Sequence, residues 1–149
     1  MVGWMKEDGK GTSHDLRGAL EWYRKAADTE YPVAQFHVGR ILMRTGEPSE
    51  ALRWFEKSAS RNYMPAVYRL AWAYESGTGT LVDKNHALTL FNQSANGGHL
   101  PSQMVLAKKV LKGSQGSFMR LWGVYQVLKI YLETALVAWR DMRDDRIRL

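Results

Sequence analysis

The sequence predicts an all-α protein, a right-handed α-solenoid of helix-turn-helix repeats with a C-terminal capping helix. Three observations predict it: a nine-residue block occurs three times, a second block lies between its copies, and a broad apolar stretch follows the last copy. The length of 149 residues allows one compact domain or one short repeat array. With 45% apolar and 24% charged residues, the composition is that of an ordinary globular chain.

The first repeated block begins and ends with alanine. It reads ALEWYRKAA at 19–27, ALRWFEKSA at 51–59 and ALTLFNQSA at 87–95, so the shifts are 51 − 19 = 32 and 87 − 51 = 36 residues. Self-similarity at such a period is typical of repeat architectures. We expect the closing alanines to mark close helix approach, and the aromatic residues of the blocks to fill the core: Trp22, Tyr23, Trp54, Phe55 and Phe91.

The second block supplies the other helix of each unit. It runs from Pro32 to Leu42, and its counterparts contain Pro65 and Pro101. Proline is tolerated in the first helical turn, where the backbone N–H has no partner in the helix. Acidic residues four positions before each first-block alanine are predicted N-caps, since they also suit the helix dipole: Asp15, Glu47 and Asp83.

The repeat array is predicted to occupy residues 1–113 as about three units. The first unit is incomplete, because Val2-Gly3 corresponds to the middle of a helix such as that around Leu70-Ala71. Residues 114–149 are predicted to form the capping helix and a charged tail. The exposed ends of such an array could also support a homo-oligomer, since a solenoid needs a polar cap at each end.

The stretch from 121 to 139 is apolar apart from a narrow polar stripe that includes Lys129 and Glu133. Its length is close to that of a membrane span. A lysine near the centre costs about 2.5 to 3.5 kcal/mol on the insertion scale, so insertion is unfavourable. The sequence favours a cap over the last repeat or a dimer contact, and an interfacial helix or a span stays open.

Small residues, a Gly-x-Gly turn at 77–79 and the aromatic block together resemble the Sel-one-like repeat family, relatives of the tetratricopeptide repeats. The resemblance covers residues 1 to about 113. It implies a solenoid whose first helices line a concave surface, and a non-catalytic adaptor or scaffold that holds a partner segment there. Two alternatives stay open: a basic polymer binder, for nucleic acid or an acidic polysaccharide, and a membrane-associated scaffold anchored through residues 121–139.

Repeat register assigns the residues that face away from the paired helix. One row of equivalent positions contains Trp4, Arg40, Trp72 and Lys108, and adjacent rows add the other basic candidates. Arginine and tryptophan often dominate interface energies, so an extended acidic protein segment is the predicted partner. The predicted partner-binding residues are Trp4, His37, Arg40, Arg44, Arg69, Trp72, Lys108 and Lys112.

No enzyme, cofactor or metal site is predicted. The absence of cysteine excludes disulfides and thiolate sites, and the four histidines are scattered over different units. Ser13-His14-Asp15 are merely adjacent, whereas a catalytic triad needs convergence through the fold. The net charge of +6 is too diffuse to indicate nucleic acid by itself. The N-terminus lacks a secretory signal pattern, and we expect a cytoplasmic protein.

Overall fold

The computed structural model describes residues 15–113, 124–125, 128–133, 135–136 and 139–140. These residues lie in helices and in the turns between them, and none of them forms a strand. The chain separates into two compact units, Met1–His99 and Leu100–Leu149.

Five helices form the described part of the first unit: α1 (Leu16–Ala27), α2 (Pro32–Thr45), α3 (Pro48–Ser60), α4 (Met64–Ser76) and α5 (Lys84–Asn96). Each packs against the next helix along the chain. The second block therefore forms α2 and α4, and the first block forms α1, α3 and α5. The predicted helix-turn-helix repeat is confirmed, with α2–α3 and α4–α5 as its two complete pairs.

The helix starts follow the predicted capping residues, with one exception. Asp15 accepts a hydrogen bond from the Gly18 amide at 2.8 Å, and Asp83 accepts from two amides of the first turn of α5. Glu47 occupies the cap position of α3, but its side chain makes no capping hydrogen bond. Its carboxylate instead accepts from the Thr45 hydroxyl. The longer glutamate side chain is a poorer cap than aspartate, so the prediction is wrong for this side chain.

Close approach of α2 and α3 depends on small residues. A Cβ at Gly39 would lie 2.6 Å from Cε1 of Phe55, so only glycine fits without a shift. Phe55 and its counterpart Phe91 are buried, as predicted.

Trp22, however, is 47% exposed, and Lys25 lies over its ring. Adjacent helical residues point about 100° apart, so Tyr23 takes the inward position and the core prediction is wrong for Trp22.

A serine hydrogen bond recurs in both complete helix pairs. The Ser58 hydroxyl donates to the carbonyl oxygen of Pro32 at 2.7 Å, and the Ser94 hydroxyl donates to that of Met64 at 3.0 Å. Both serines are fully buried. Buried hydroxyls need such partners, and these two place each pair of helices in the same relative position.

The Gly-x-Gly segment is a turn, as the repeat pattern predicted. Gly77 and Gly79 have φ of +75° and +77°, in the left-handed region that favours glycine. A Cβ at Gly79 would also come within 2.8 Å of the Pro48 backbone. The equivalent Gly9-Lys10-Gly11 lies outside the described residues.

The second unit contains α6 (Leu100–Gly113) and helical residues between 124 and 140. Ser102, Ala107 and Ile130 are buried, and the amino group of Lys129 lies 3.8 Å from the Glu133 carboxylate. A helix in this part of the chain is confirmed at the described positions, and its role as a cap stays a prediction. Among the described residues, no helix has both the length and the apolar character that a membrane crossing needs.

Candidate functional site

A cleft of about 270 Å³ opens between α2 and α4. Four of the predicted partner-binding residues line it, namely Arg40 and Arg44 from α2 and Arg69 and Trp72 from α4. The other described lining residues carry no charge: Met43, Phe55, Ala73, Ser76 and Thr78. The described lining thus combines three guanidinium groups, one indole ring and no carboxylate. We call it the basic cleft.

The repeat period brings these side chains together. Arg40 and Trp72 are equivalent positions of successive repeats, since 72 − 40 = 32, the shift between the first two blocks. Arg44 and Ser76 differ by the same number. Because α2 and α4 are the corresponding helices of neighbouring repeats, equivalent positions come to lie across one groove. Register arithmetic alone therefore located both walls of the basic cleft.

Trp72 is anchored on one side and exposed on the other. Its ring meets Phe91 edge-on at a centroid distance of 5.5 Å and Tyr68 at 6.4 Å. The residue nevertheless remains 42% exposed. An indole held by neighbouring rings offers apolar contact area at a low cost in conformational entropy.

His37 lies beside the basic cleft and is not part of its lining. Its imidazole stacks on Tyr23, with ring centroids 4.5 Å apart and planes 6° from parallel. Nδ1 of His37 lies 3.5 Å from Nη1 of Arg40. The guanidinium of Arg40 also stands 5.9 Å from the centre of the Phe36 ring. The contacts with His37 and Phe36 help to fix the position of the Arg40 side chain. His37 therefore supports a lining residue of the cleft and does not line the cleft itself.

The positive charge of the cleft acts on neighbouring titratable groups. Burial lowers the pKa of His99, and the Arg69 guanidinium lowers it further. Burial and the nearby Tyr31 raise the pKa of Tyr63, while Arg40 opposes that shift. Burial disfavours a charged form, and a nearby positive charge disfavours a further positive charge while favouring a negative one. Arg40 and Arg69, two of the three cleft arginines, therefore contribute a positive potential at these neighbouring groups.

The remaining predicted site residues cannot be assigned to the cleft. Trp4 lies outside the described residues. Lys108 and Lys112 are exposed on α6, which belongs to the second unit. The predicted partner-binding residues omit the five other lining residues of the cleft: Met43, Phe55, Ala73, Ser76 and Thr78. Phe55 was assigned only to the core, and the hydroxyl of Thr78 lies 2.7 Å from that of Ser76.

A second surface, on α3, contains similar residue types in a different arrangement. We call it the outer face and define it by Ser49, Glu50, Arg53, Trp54 and Lys57. The Glu50 carboxylate lies 3.0 Å from the guanidinium of Arg24 and accepts a hydrogen bond from the Trp54 indole at 3.4 Å. The Lys57 amino group stands 4.4 Å above the centre of the Trp54 ring. On the outer face, the indole of Trp54 thus contacts both Glu50 and Lys57, and Glu50 also pairs with Arg24 of α1.

Metal chemistry finds no support in this part of the chain. Within the described ranges, no three side chains of His, Asp or Glu converge as metal ligands would.

The arrangement of the basic cleft suits recognition of an anion beside an apolar group, because guanidinium groups pair with carboxylates and an indole offers apolar area.

Paired helices that repeat along the chain, with a cleft formed by equivalent positions, define an α-helical repeat protein. The chain belongs to the Sel1 repeat family, whose model matches residues 1–28, 32–63 and 65–99. The last two matches coincide with the pairs α2–α3 and α4–α5. The resemblance inferred from the sequence is therefore confirmed.

Two similar proteins come from yeasts. The chitin synthase regulator SKT5 of Saccharomyces cerevisiae is 31% identical over 115 residues, which cover 68% of this chain and 16% of that protein. Chitin synthase regulatory factor 3 of Schizosaccharomyces pombe is 27% identical over 113 residues, covering 70% of this chain and 12% of that protein. The chain thus spans less than a fifth of the length of either relative.

A solved structure supports the fold. The crystal structure of a Sel1 repeat protein from Oxalobacter formigenes superposes with a TM-score of 0.75 at 25% identity, over 88% of this chain and 55% of that one. The predicted class, an all-α repeat solenoid, is thereby confirmed. Proteins of this family generally serve as interaction scaffolds.

Proposed function

We propose that this chain is a non-catalytic scaffold that holds an acidic segment of a partner protein in the basic cleft. The observation that carries the proposal is the juxtaposition of Arg40, Arg69 and Trp72 around one groove. A carboxylate would pair with the guanidinium groups. An apolar residue next to it in the segment would pack on the exposed side of the indole.

The relatives favour a regulatory role without chemistry of its own. Two of them are named as regulators of chitin synthase. A protein that regulates an enzyme by binding needs a specific surface and no reactive group. The basic cleft provides such a surface, and we propose that its occupant is a protein segment whatever the pathway in which this chain acts.

The test is direct binding of short fluorescent peptides that combine several acidic residues with one apolar residue. The cleft variant carries Arg40→Glu and Trp72→Ala together. The matched control carries Arg53→Glu and Trp54→Ala, the same two changes on the outer face. Loss of a charge-assisted hydrogen bond costs about 1.5 to 3 kcal/mol, so we expect roughly 10-fold to 100-fold weaker binding for the cleft variant and little change for the control.

The same titrations distinguish the alternatives. A polymer binder would prefer heparin or an oligonucleotide to the peptides, and its affinity would fall steeply with salt because counterions are released. Peptides in which glutamine replaces the acidic residues should lose binding to the wild-type chain. Equal weakening in both double variants would show that the basic cleft is not the binding site, provided that circular dichroism finds both variants equally helical.

A further inference from the structure

The described helical residues between 124 and 140 expose large apolar side chains along their whole length. Seven large apolar residues of this stretch are between 44% and 63% exposed. We call this surface the C-terminal apolar face and define it by Val124, Tyr125, Leu128, Tyr131, Leu132, Leu136 and Trp139. An exposed patch of this kind on a globular protein commonly marks an interaction site.

The described members of the face lie on one side. In the register of one helix with 3.6 residues per turn, its members fall within an arc of about 140°. Lys129, Glu133 and Arg140 fall together along one edge of that arc. Ile130, which is buried, falls opposite its centre. Among the described residues between 124 and 140, Ile130 is buried, the charged residues share one edge and the apolar face is exposed.

The size of the face fits a protein partner. An aromatic side chain has about 150 to 250 Å² of area to bury, and leucine and valine lie near or below the lower end of that range. At the observed exposures, the seven side chains present on the order of 800 Å², which is about the area that each partner buries in a standard interface.

The spacing within the face favours a second copy of the same helix. Four members of the face and the neighbouring Ala135 are separated by alternating steps of three and four residues, in the order Tyr125, Leu128, Leu132, Ala135 and Trp139. Apolar residues at this spacing form the seam of two helices that pack side by side. A surface of this kind is self-complementary, as a two-fold interface requires. We propose that the C-terminal apolar face binds the same face of a second copy of this chain.

The polar edge argues against an anionic membrane as the occupant. Helices that lie on such membranes carry a polar face rich in lysine and arginine. Here the described polar edge has two basic residues, and one of them, Lys129, lies 3.8 Å from the Glu133 carboxylate. A dimer would place two basic clefts in one assembly and allow bivalent capture of a partner. The dimer itself does not depend on what the cleft binds.

Sedimentation equilibrium of the full chain provides the first test. We expect the wild type to sediment with twice the mass of one chain. Leu128→Glu and Leu132→Glu together should give the monomer mass at the same concentration, because they place charge in the seam. Arg140→Glu is the matched control: it makes the same net change in charge outside the seam, and it should remain a dimer.

Single cysteines test the contact directly, because the chain has none of its own. Leu132→Cys should form a disulfide-linked dimer on mild oxidation, whereas Glu133→Cys, one position away on the polar edge, should not. This comparison decides the question even if the double glutamate variant loses helicity. A monomeric wild type, a dimer that persists in the double variant, or a monomer that floats with phosphatidylserine vesicles would each overturn the proposal.

Discussion

The basic cleft and the outer face of α3 both contain arginine and tryptophan, but only the outer face has a carboxylate among its described residues. On the outer face, Glu50 lies within hydrogen-bonding distance of both Arg24 and Trp54. In the basic cleft, three arginines and a tryptophan share a described lining without any acid. Arginine and tryptophan alone therefore do not identify a binding surface.

The largest expected effect comes from Phe55, the residue on which both surfaces depend. Its ring is buried between α2 and α3 and lines the basic cleft, while the helix that carries it also carries the outer face. Phe55→Ala should lower the free energy of unfolding by about 3 to 5 kcal/mol, because it removes a buried ring and leaves a cavity. Urea denaturation monitored by circular dichroism measures this change.

Arg53→Ala on the same helix is the control for Phe55→Ala. Arg53 is exposed, so its loss should change the free energy of unfolding by no more than about 0.5 kcal/mol. A comparable loss in both variants would mean that α3 is sensitive to any truncation and that Phe55 has no special role beneath the two surfaces.

Repeat register predicted the fold and four of the nine described lining residues of the cleft, because both depend on positions that recur at a fixed shift. The same arithmetic that aligned 19–27 with 51–59 also placed Arg40 opposite Trp72. The sequence did not predict the recurring hydrogen bonds of Ser58 and Ser94, because a serine within an amphipathic block could equally well be exposed to solvent. The local pairing on the outer face escaped for a similar reason: it depends on the rotamers of long side chains.

The two wrong predictions concern side-chain directions, which a repeat pattern does not determine. Trp22 and Tyr23 are both aromatic and adjacent, so the pattern marks the pair, while the rotation of α1 about its axis decides which residue faces α2. Glu47 stands at the position of a cap, but the reach of its side chain determines whether it can serve as one. Sequence spacing thus located these positions and left the direction of their side chains undetermined.

A smaller effect is expected when the carboxylate of the outer face is removed. Glu50→Gln should lower the free energy of unfolding by at most about 1 kcal/mol, because the ion pair with Arg24 is partly exposed to solvent. If carboxylate placement decides which surface binds, the variant should also gain weak affinity for the acidic peptides. The gain should survive when the cleft changes Arg40→Glu and Trp72→Ala are added. Titration of the peptides against both variants measures it, and no gain in either would contradict the comparison.

The smallest expected effect is a pH dependence beside the cleft. Burial and Arg69 hold the pKa of His99 below its ordinary value of about 6.5. Between the pKa of His99 in the folded chain and its pKa in the unfolded chain, the unfolded chain binds more protons than the folded one. The stabilising contribution is therefore present above about pH 6.5 and is lost as the pH falls through the folded pKa. Replacing His99 by glutamine should remove this component from denaturation curves measured across the range.

NMR titration of the His99 imidazole separates the two causes. Arg69→Gln should raise the pKa of His99 only part of the way to its ordinary value, since burial, the larger cause, remains. An acidic peptide bound against Arg69 should raise the pKa of His99 in the wild type, because its carboxylates offset the guanidinium charge. The same peptide should have a smaller effect in the Arg69→Gln chain. An equal peptide effect in both chains would place the bound segment away from Arg69 and outside the basic cleft.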